Sequence, residues 1–260
     1  MKRAANGLAA ITVALLCLAP FAWQIFSSFQ TELGRPSLRN YVAVFEGRPF
    51  GQIILNSLVV AAATAVCCIA IGASAAFAIA KLELKGRRAL LGASLACSMF
   101  PPIATVSPLF FLLRRFGLQD ELAGLILPYT TFALPLTIWV LTSFFREIPD
   151  ELYSAARVDG CTPFRAFRLI FLPLAGPGIA TTAIMVFIFA WNEFIYALTF
   201  ISSPEKRTIP VAISLFATGQ TEPWHEIFAA STIVSVPLLI VTILFQRRIV
   251  SGLTAGAVKG

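Results

Sequence analysis

A single carboxylate, Glu193, interrupts an apolar run that otherwise carries no Asp, Glu, Lys or Arg from Gly178 to Ile201. Asn192 precedes it and Tyr196 follows within one helical turn. An ionisable group among hydrocarbon is costly, so it must face protein or water and find a partner. Two roles fit these residue types. Glu193 can line a path for a hydroxylated solute, or it can anchor helices by hydrogen bonds together with Asn192 and Tyr196. Tyr129 and Thr130, with Thr131 and Thr137, lie beside Pro128 and Pro135. Proline removes a backbone hydrogen bond there, which is tolerated where neighbours or a water-filled path re-satisfy the backbone. Aromatic faces and hydroxyls suit a sugar, and the same side chains also serve as interhelical glue. Tyr129, Thr130, Asn192, Glu193 and Tyr196 are the candidate path residues.

Bond-making chemistry has little to work with. No Gly-x-x-x-x-Gly-Lys-Ser/Thr occurs, so the chain has no phosphate loop of its own. Neither His-Glu-x-x-His nor Gly-x-Ser-x-Gly occurs. The one histidine, His225, reads as a surface residue of a loop. The five cysteines, Cys17, Cys67, Cys68, Cys97 and Cys161, show no metal-ligand spacing and read as small hydrophobes. No catalytic residue and no metal site are expected.

The elements that position these groups are membrane helices. Of 260 residues, 58% are hydrophobic and 13% charged, against about 25% charged in soluble domains. Mean hydropathy is +0.83. Crossing a hydrocarbon core about 30 Å thick takes ~20 apolar residues of helix. Six stretches reach that length: Gly7–Phe29, Ile53–Ala80, Ala89–Leu113, Leu122–Phe145, Gly178–Ile201 and Ile227–Phe245. No period-2 alternation favours a β-barrel. The first stretch follows Lys2 and Arg3 but has no small-x-small cleavage pattern, so it reads as a retained helix. The expected fold is therefore an all-α membrane protein of one domain with six spans. A loop at 146–177, a loop at 202–226 and a tail at 246–260 lie outside them.

Lys and Arg set the orientation. With the N-terminus inside, only Arg35, Arg39, Arg48, Arg114, Arg115, Lys206 and Arg207 of the 20 basic residues lie outside. Both termini and the 146–177 loop are then cytoplasmic. The net charge of +7 is explained by basic residues flanking spans, and no nucleic acid is expected as a partner.

The 146–177 loop reads as two short helices. Asp150 and Glu151 suit a helix start, and Asp159-Gly160 ends that helix. Thr162-Pro163 restarts it as N-cap and first helical residue. Phe164, Phe167 and Phe171 fall on one side, flanked by Arg165 and Arg168, and Leu172-Pro173 stops the second helix. A surface helix on the inner leaflet and a docking knob for a soluble protein both fit this pattern.

The stretch Ser154–Pro177 resembles the EAA loop of binding-protein-dependent ABC importers. Ala155, Ala156, Gly160 and Leu172-Pro173 fall at matching places, with Asp159 as in the sugar branch. The pattern departs at Ser154, preceded by Tyr153, where the family carries glutamate. LNSL (Leu55–Leu58), MFPP (Met99–Pro102), LILPY (Leu125–Tyr129), FFREIPDEL (Phe144–Leu152), WNEF (Trp191–Phe194), RTIPVAI (Arg207–Ile213) and the last fifteen residues from Gln246 are similar to carbohydrate-importer permeases. They are most similar to the shorter, six-span subunit of the maltose/trehalose type.

The resemblance implies a sugar-importer permease subunit in the cytoplasmic (inner) membrane of a prokaryote. It is not itself an enzyme, and ATP and Mg reside on a partner ATPase. Implied partners are a homologous second permease subunit, a dimeric cytoplasmic ATPase and an extracellular or periplasmic sugar-binding protein, besides the lipid bilayer. Tyr153, Ser154, Ala155, Ala156, Asp159, Gly160, Phe164, Phe167, Leu172 and Pro173 would couple to the ATPase. Gly252, Gly256, Lys259 and Gly260 of the tail would touch it as well. Ala217, Thr218, Gly219, Gln220 and Trp224, the outer-loop tip, would reach the binding protein. A disaccharide such as trehalose or maltose comes first as cargo; glycerol-3-phosphate and other saccharides use similar subunits. An ATP-independent secondary transporter is the distant alternative, and no inverted repeat supports it.

Overall fold

The structure is a computed structural model that describes residues 2–31, 33–46, 48–217 and 223–255, with side chains described between residues 6 and 244 except at residue 217. Helices dominate. Among the described residues the only extended pairing is an isolated bridge between Gln30 and Pro36. Among the described residues, four helices are long and apolar enough to cross a membrane unbroken: α1 (Lys2–Ser28), α3 (Phe50–Lys81), α6 (Leu122–Glu147) and α13 (Trp224–Ala255). The short α2 (Arg39–Ala43) lies in the α1–α3 connection.

The remaining two expected spans are broken. The stretch expected as one helix over Ala89–Leu113 is α4 (Arg87–Ser98) and α5 (Pro102–Arg115), bent by 89°. Tandem prolines cause the break. A residue before proline is pushed out of the helical region, and Pro101 sits extended at φ −65° and ψ 123°. The stretch expected over Gly178–Ile201 is also interrupted. It consists of α10 (Gly176–Trp191) and α11 (Ile195–Phe200), with Glu193 in the gap. The last helix begins and ends outside the expected 227–245. It continues through Ala255, so the first part of the tail expected at 246–260 is helical, and Gly252 lies within it. Gly256, Lys259 and Gly260 lie outside the described residues.

The α3 helix is central, packed along α6 and α10, with α13 against α10 and α1. Small residues let it approach: Ala61, Ala65, Ala73 and Ala76 are buried. A Cβ on Gly72 would sit 2.6 Å from the Thr137 methyl of α6. Close backbone approach through small residues is the usual way membrane helices gain contact when lipid is as apolar as the core. The outward faces stay apolar: Leu8, Leu16, Val66 and Ile103 are all exposed, as a bilayer requires.

Candidate functional site

The loop that follows α6 is built as its sequence dictates. Ile148 and Pro149 are extended (ψ 129° and 138°) and α7 runs over Asp150–Val158, with two acids in its first turn and Arg157 in its last. Both charge placements complement the helix dipole. The Cys161 amide donates to the Ala156 carbonyl (2.9 Å) and the Gly160 amide to the Arg157 carbonyl (3.2 Å). That pair is a Schellman cap. It needs a left-handed residue, and Gly160 has φ +81°. Arg157 adds a hydrogen bond from its guanidinium to the Cys161 carbonyl (2.7 Å). The Thr162 hydroxyl accepts from the Arg165 amide (3.3 Å) and starts α8 (Pro163–Ala166) with Pro163 in its first turn.

The second helix does not stop at Leu172-Pro173 as expected. A π-turn (Phe167–Phe171) follows α8, and α9 (Leu172–Leu174) follows that. Local π adjustment lets a helix accept a proline whose donor is missing. The chain then turns by 79° into α10.

The expected aromatic ridge splits between two environments. Phe171 is fully buried and Phe167 partly so. Their rings lie 5.1 and 5.2 Å from Phe77 of α3, and Phe145 of α6 and Tyr153 of α7 complete the cluster. Phe164 touches the cluster only through Phe167 (6.3 Å between rings) and is 70% exposed, and Val158 at the end of α7 is exposed too. Ala156 and Ala166 are buried where α7 meets α8. Ser154, Ala155, Asp159, Gly160 and Pro173 are on the surface, while Leu172 packs against the aromatic cluster. A second strap was not foreseen. Lys81, the last residue of α3, is buried and its Nζ donates to Asp150 Oδ1 (2.6 Å) and to the Ile148 carbonyl. The loop is thus fastened to two spans.

Three of the interior residues, Tyr129, Glu193 and Tyr196, come together, whereas Asn192 and Thr130 point elsewhere. The Glu193 carboxylate accepts from the amides of Tyr196 (3.0 Å) and Ala197 (3.2 Å), so it caps α11. The Tyr196 hydroxyl meets the Thr105 hydroxyl (2.6 Å) and the Pro102 carbonyl (3.2 Å), tying α11 to the first turn of α5. Asn192 is exposed and its amide returns to the Ile188 carbonyl of its own helix (2.7 Å), not to Glu193. Tyr129 is buried with its ring 6.4 Å from Tyr196 and its hydroxyl beside the Glu193 carboxylate. Thr130 lies against Cys68 and borders an open apolar groove of about 650 Å³ with Cys67, Cys97 and Thr131.

At the opposite end, the 202–226 loop is clamped at its base. Asn56 donates to the carbonyls of Glu205 (2.7 Å) and Arg207 (3.1 Å). Ser57 accepts from the Ile209 amide (2.8 Å) at the start of α12 (Ile209–Ser214). Asp120, at φ +60°, accepts from the amides of Ser202 (2.8 Å) and Ser203 (2.9 Å) and from the Ser203 hydroxyl. Those Ser203 bonds hold the Asp120 carboxyl below its ordinary range. Lys206 bonds Glu121 (2.7 Å), which raises its pKa. Arg48 pairs with Glu226 (3.0 Å) and lies 4.0 Å over the Phe216 ring. His225, expected as a surface residue, sits 2.9 Å from the Ser27 carbonyl and ties α13 to α1. Trp224 is exposed at the start of α13. The backbone of Ala217 closes a 3₁₀ turn, and Thr218, Gly219 and Gln220 lie outside the described residues. Sequence reasoning missed Lys81, Asp120 and Asn56, because each acts on a backbone group far along the chain.

Comparison with known proteins agrees with this architecture. The chain is 49% identical over 224 residues to the trehalose transport system permease protein SugB of Mycobacterium tuberculosis, covering 85% of this chain and 81% of that one. It is 40% identical over 272 residues to the trehalose/maltose transport system permease protein MalG of Thermococcus litoralis, covering 100% and 98%. A sulfoquinovosyl glycerol transport system permease protein of Agrobacterium fabrum is 40% identical over 254 residues, covering 94% and 89%. In three dimensions the chain superposes with TM-score 0.77 on a chain of a bacterial ABC transporter that imports alginate, with 95% of each covered at 22% identity. Residues 68–255 match the family described as binding-protein-dependent transport system inner membrane component. The chain is therefore a multi-pass membrane protein and belongs to that family of transport-system inner membrane components.

Proposed function

We propose that the chain is the permease subunit of an ATP-driven importer of carbohydrate, a disaccharide of the trehalose or maltose kind first. It forms half of the translocation path beside a homologous subunit, and both of its termini face the cytoplasm. ATP and Mg bind a separate dimeric ATPase, and an external sugar-binding protein delivers cargo at the 202–226 loop.

The observation that carries this reading is the fastening of the α7–α8 pair. Coupling needs a stiff element with discrete positions. Rigid caps at Gly160 and Thr162, a buried aromatic cluster reaching α3 and α6, and the Lys81 strap make one. Phe164 and Val158 are left exposed at its tip, an apolar anchor of the kind that fills a pocket on a partner. The surface positions Ser154, Ala155, Asp159 and Gly160 border that tip, whereas Tyr153, Ala156, Phe167 and Leu172 support it from within. The capping role of Glu193 favours the structural reading over a path residue. Tyr129 and Thr130, beside Pro128 and next to the Glu193 corner, stay the candidates for sugar contact.

The test is uptake in cells that lack the endogenous transporter and carry this chain with its partner subunits. Trehalose or maltose uptake that needs ATP and the binding protein is expected. Uptake that persists without any ATPase subunit would refute the assignment, and preference for glycerol-3-phosphate would move the cargo to that class.

A further inference from the structure

A second polar site lies where the α6–α7 loop meets the spans. A cavity of about 240 Å³ is lined by Ala80, Lys81, Arg87, Arg88, Arg146 and Asp150. Its lining is almost wholly polar and carries four cations against one carboxylate. Lys81 spends its charge on Asp150 and the Ile148 carbonyl, and its side chain is 1% exposed. Arg87, Arg88 and Arg146 have no ion pair among the described residues.

The placement of Arg87 and Arg88 runs against local electrostatics. They form the first turn of α4, a helix of 12 residues with no acid in that turn. Gly86 precedes them in the left-handed conformation (φ +78°), with no side-chain cap on the helix. The first-turn amides and the positive end of the dipole thus add to two guanidinium charges. Such a concentration of positive charge is relieved by an anion. Its level in the membrane identifies the anion. Lys81 ends α3, Arg146 lies in the last turn of α6, and both helices are membrane spans. The cavity therefore opens at the headgroup layer of that leaflet, where basic pockets between helices take lipid phosphates.

We infer that this cavity binds the phosphate of an anionic phospholipid headgroup, held by Arg87, Arg88 and Arg146 with Lys81 as its buried floor. Because Asp150 opens α7, the bound lipid abuts the first turn of the loop that α7 and α8 form.

The test uses the full transporter complex in nanodiscs of phosphatidylcholine containing spin-labelled phosphatidylglycerol or spin-labelled phosphatidylcholine. The wild type is expected to immobilise the anionic lipid in preference to the zwitterionic one. Arg87→Gln combined with Arg88→Gln should weaken that preference roughly thirtyfold, from about fivefold per charge at the headgroup layer. The paired lysine substitutions at 87 and 88 should keep it. Arg114→Gln with Arg115→Gln, at the other end of the spans, should leave it unchanged. No preference in the wild type, or a full preference in the paired glutamine variant, overturns the site. Displacement of the lipid by equimolar inorganic phosphate overturns the lipid assignment in favour of a soluble phosphate.

Discussion

Replacing Phe171 by alanine separates the stiffness of the loop from its surface. Phe171 is fully buried, with ring centroids 5.1 Å from Phe77 and 6.2 Å from Tyr153. Truncating such a ring costs about 3–5 kcal/mol, covering lost transfer energy and a cavity. The cavity would open between the loop and the ends of α3 and α6, away from the α3–α10 core. The cost therefore falls on the docked state of the loop and shifts its docked-to-undocked ratio by roughly two to four powers of ten. Hydrogen exchange of amides 150–166 should accelerate accordingly in the assembled transporter, while amides of α3 stay protected. Basal ATP hydrolysis should persist and its stimulation by sugar-loaded binding protein should fall. Phe164→Ala provides the contrast. That ring is 70% exposed, so exchange should be unchanged while ATPase recruitment weakens. Unaltered exchange and full stimulation in Phe171→Ala would refute the idea that the aromatic cluster makes the loop a lever.

Three further outcomes are expected. Gly160→Pro cannot take φ +81° and removes the amide that bonds the Arg157 carbonyl, so the chain should insert normally yet lose sugar-stimulated ATP hydrolysis; full stimulation argues against the cap. Glu193→Ala removes the α11 cap and should lower thermal stability by about 0.5–2 kcal/mol, whereas Glu193→Gln, which keeps one acceptor, should retain transport; loss of transport in Glu193→Gln at normal yield would return Glu193 to the sugar path. The depressed pKa of Asp120 contributes stability that is complete above the unfolded value of about 3.9 and is lost as pH falls through the lower folded value. Melting temperatures of the wild type and Asp120→Asn should therefore differ at neutral pH and converge in strong acid, and a constant difference would refute the clamp.

What the sequence made legible was local. Thr162-Pro163 and Asp159-Gly160 carry their capping chemistry within a few residues, and the structure places both caps as read. Long apolar runs revealed α1, α3, α6 and α13 for the same reason. The sequence read Ala89–Leu113 as one span, and the size of the break at Pro101–Pro102, 89°, depends on where α4 and α5 find neighbours. Periodicity put Phe164, Phe167 and Phe171 on one side. It could not say that Phe171 and Phe167 face Phe77 while Phe164 faces out, because that depends on helices elsewhere in the chain. Glu193 was legible as a residue in need of partners. Its partners proved to be the amides three and four residues ahead, made available only because α10 breaks at Asn192. Lys81, Asp120 and Asn56 bond backbone groups up to 151 residues away, and no spacing rule finds such pairs.

The central claim is that the α7–α8 pair is gripped by a separate ATPase. A photo-reactive side chain introduced at position 164 of the complete transporter reads this directly. Irradiation in native membranes should give a covalent product with the ATPase subunit, lost when Gly160→Pro is added. Labelling confined to phospholipid would contradict the account.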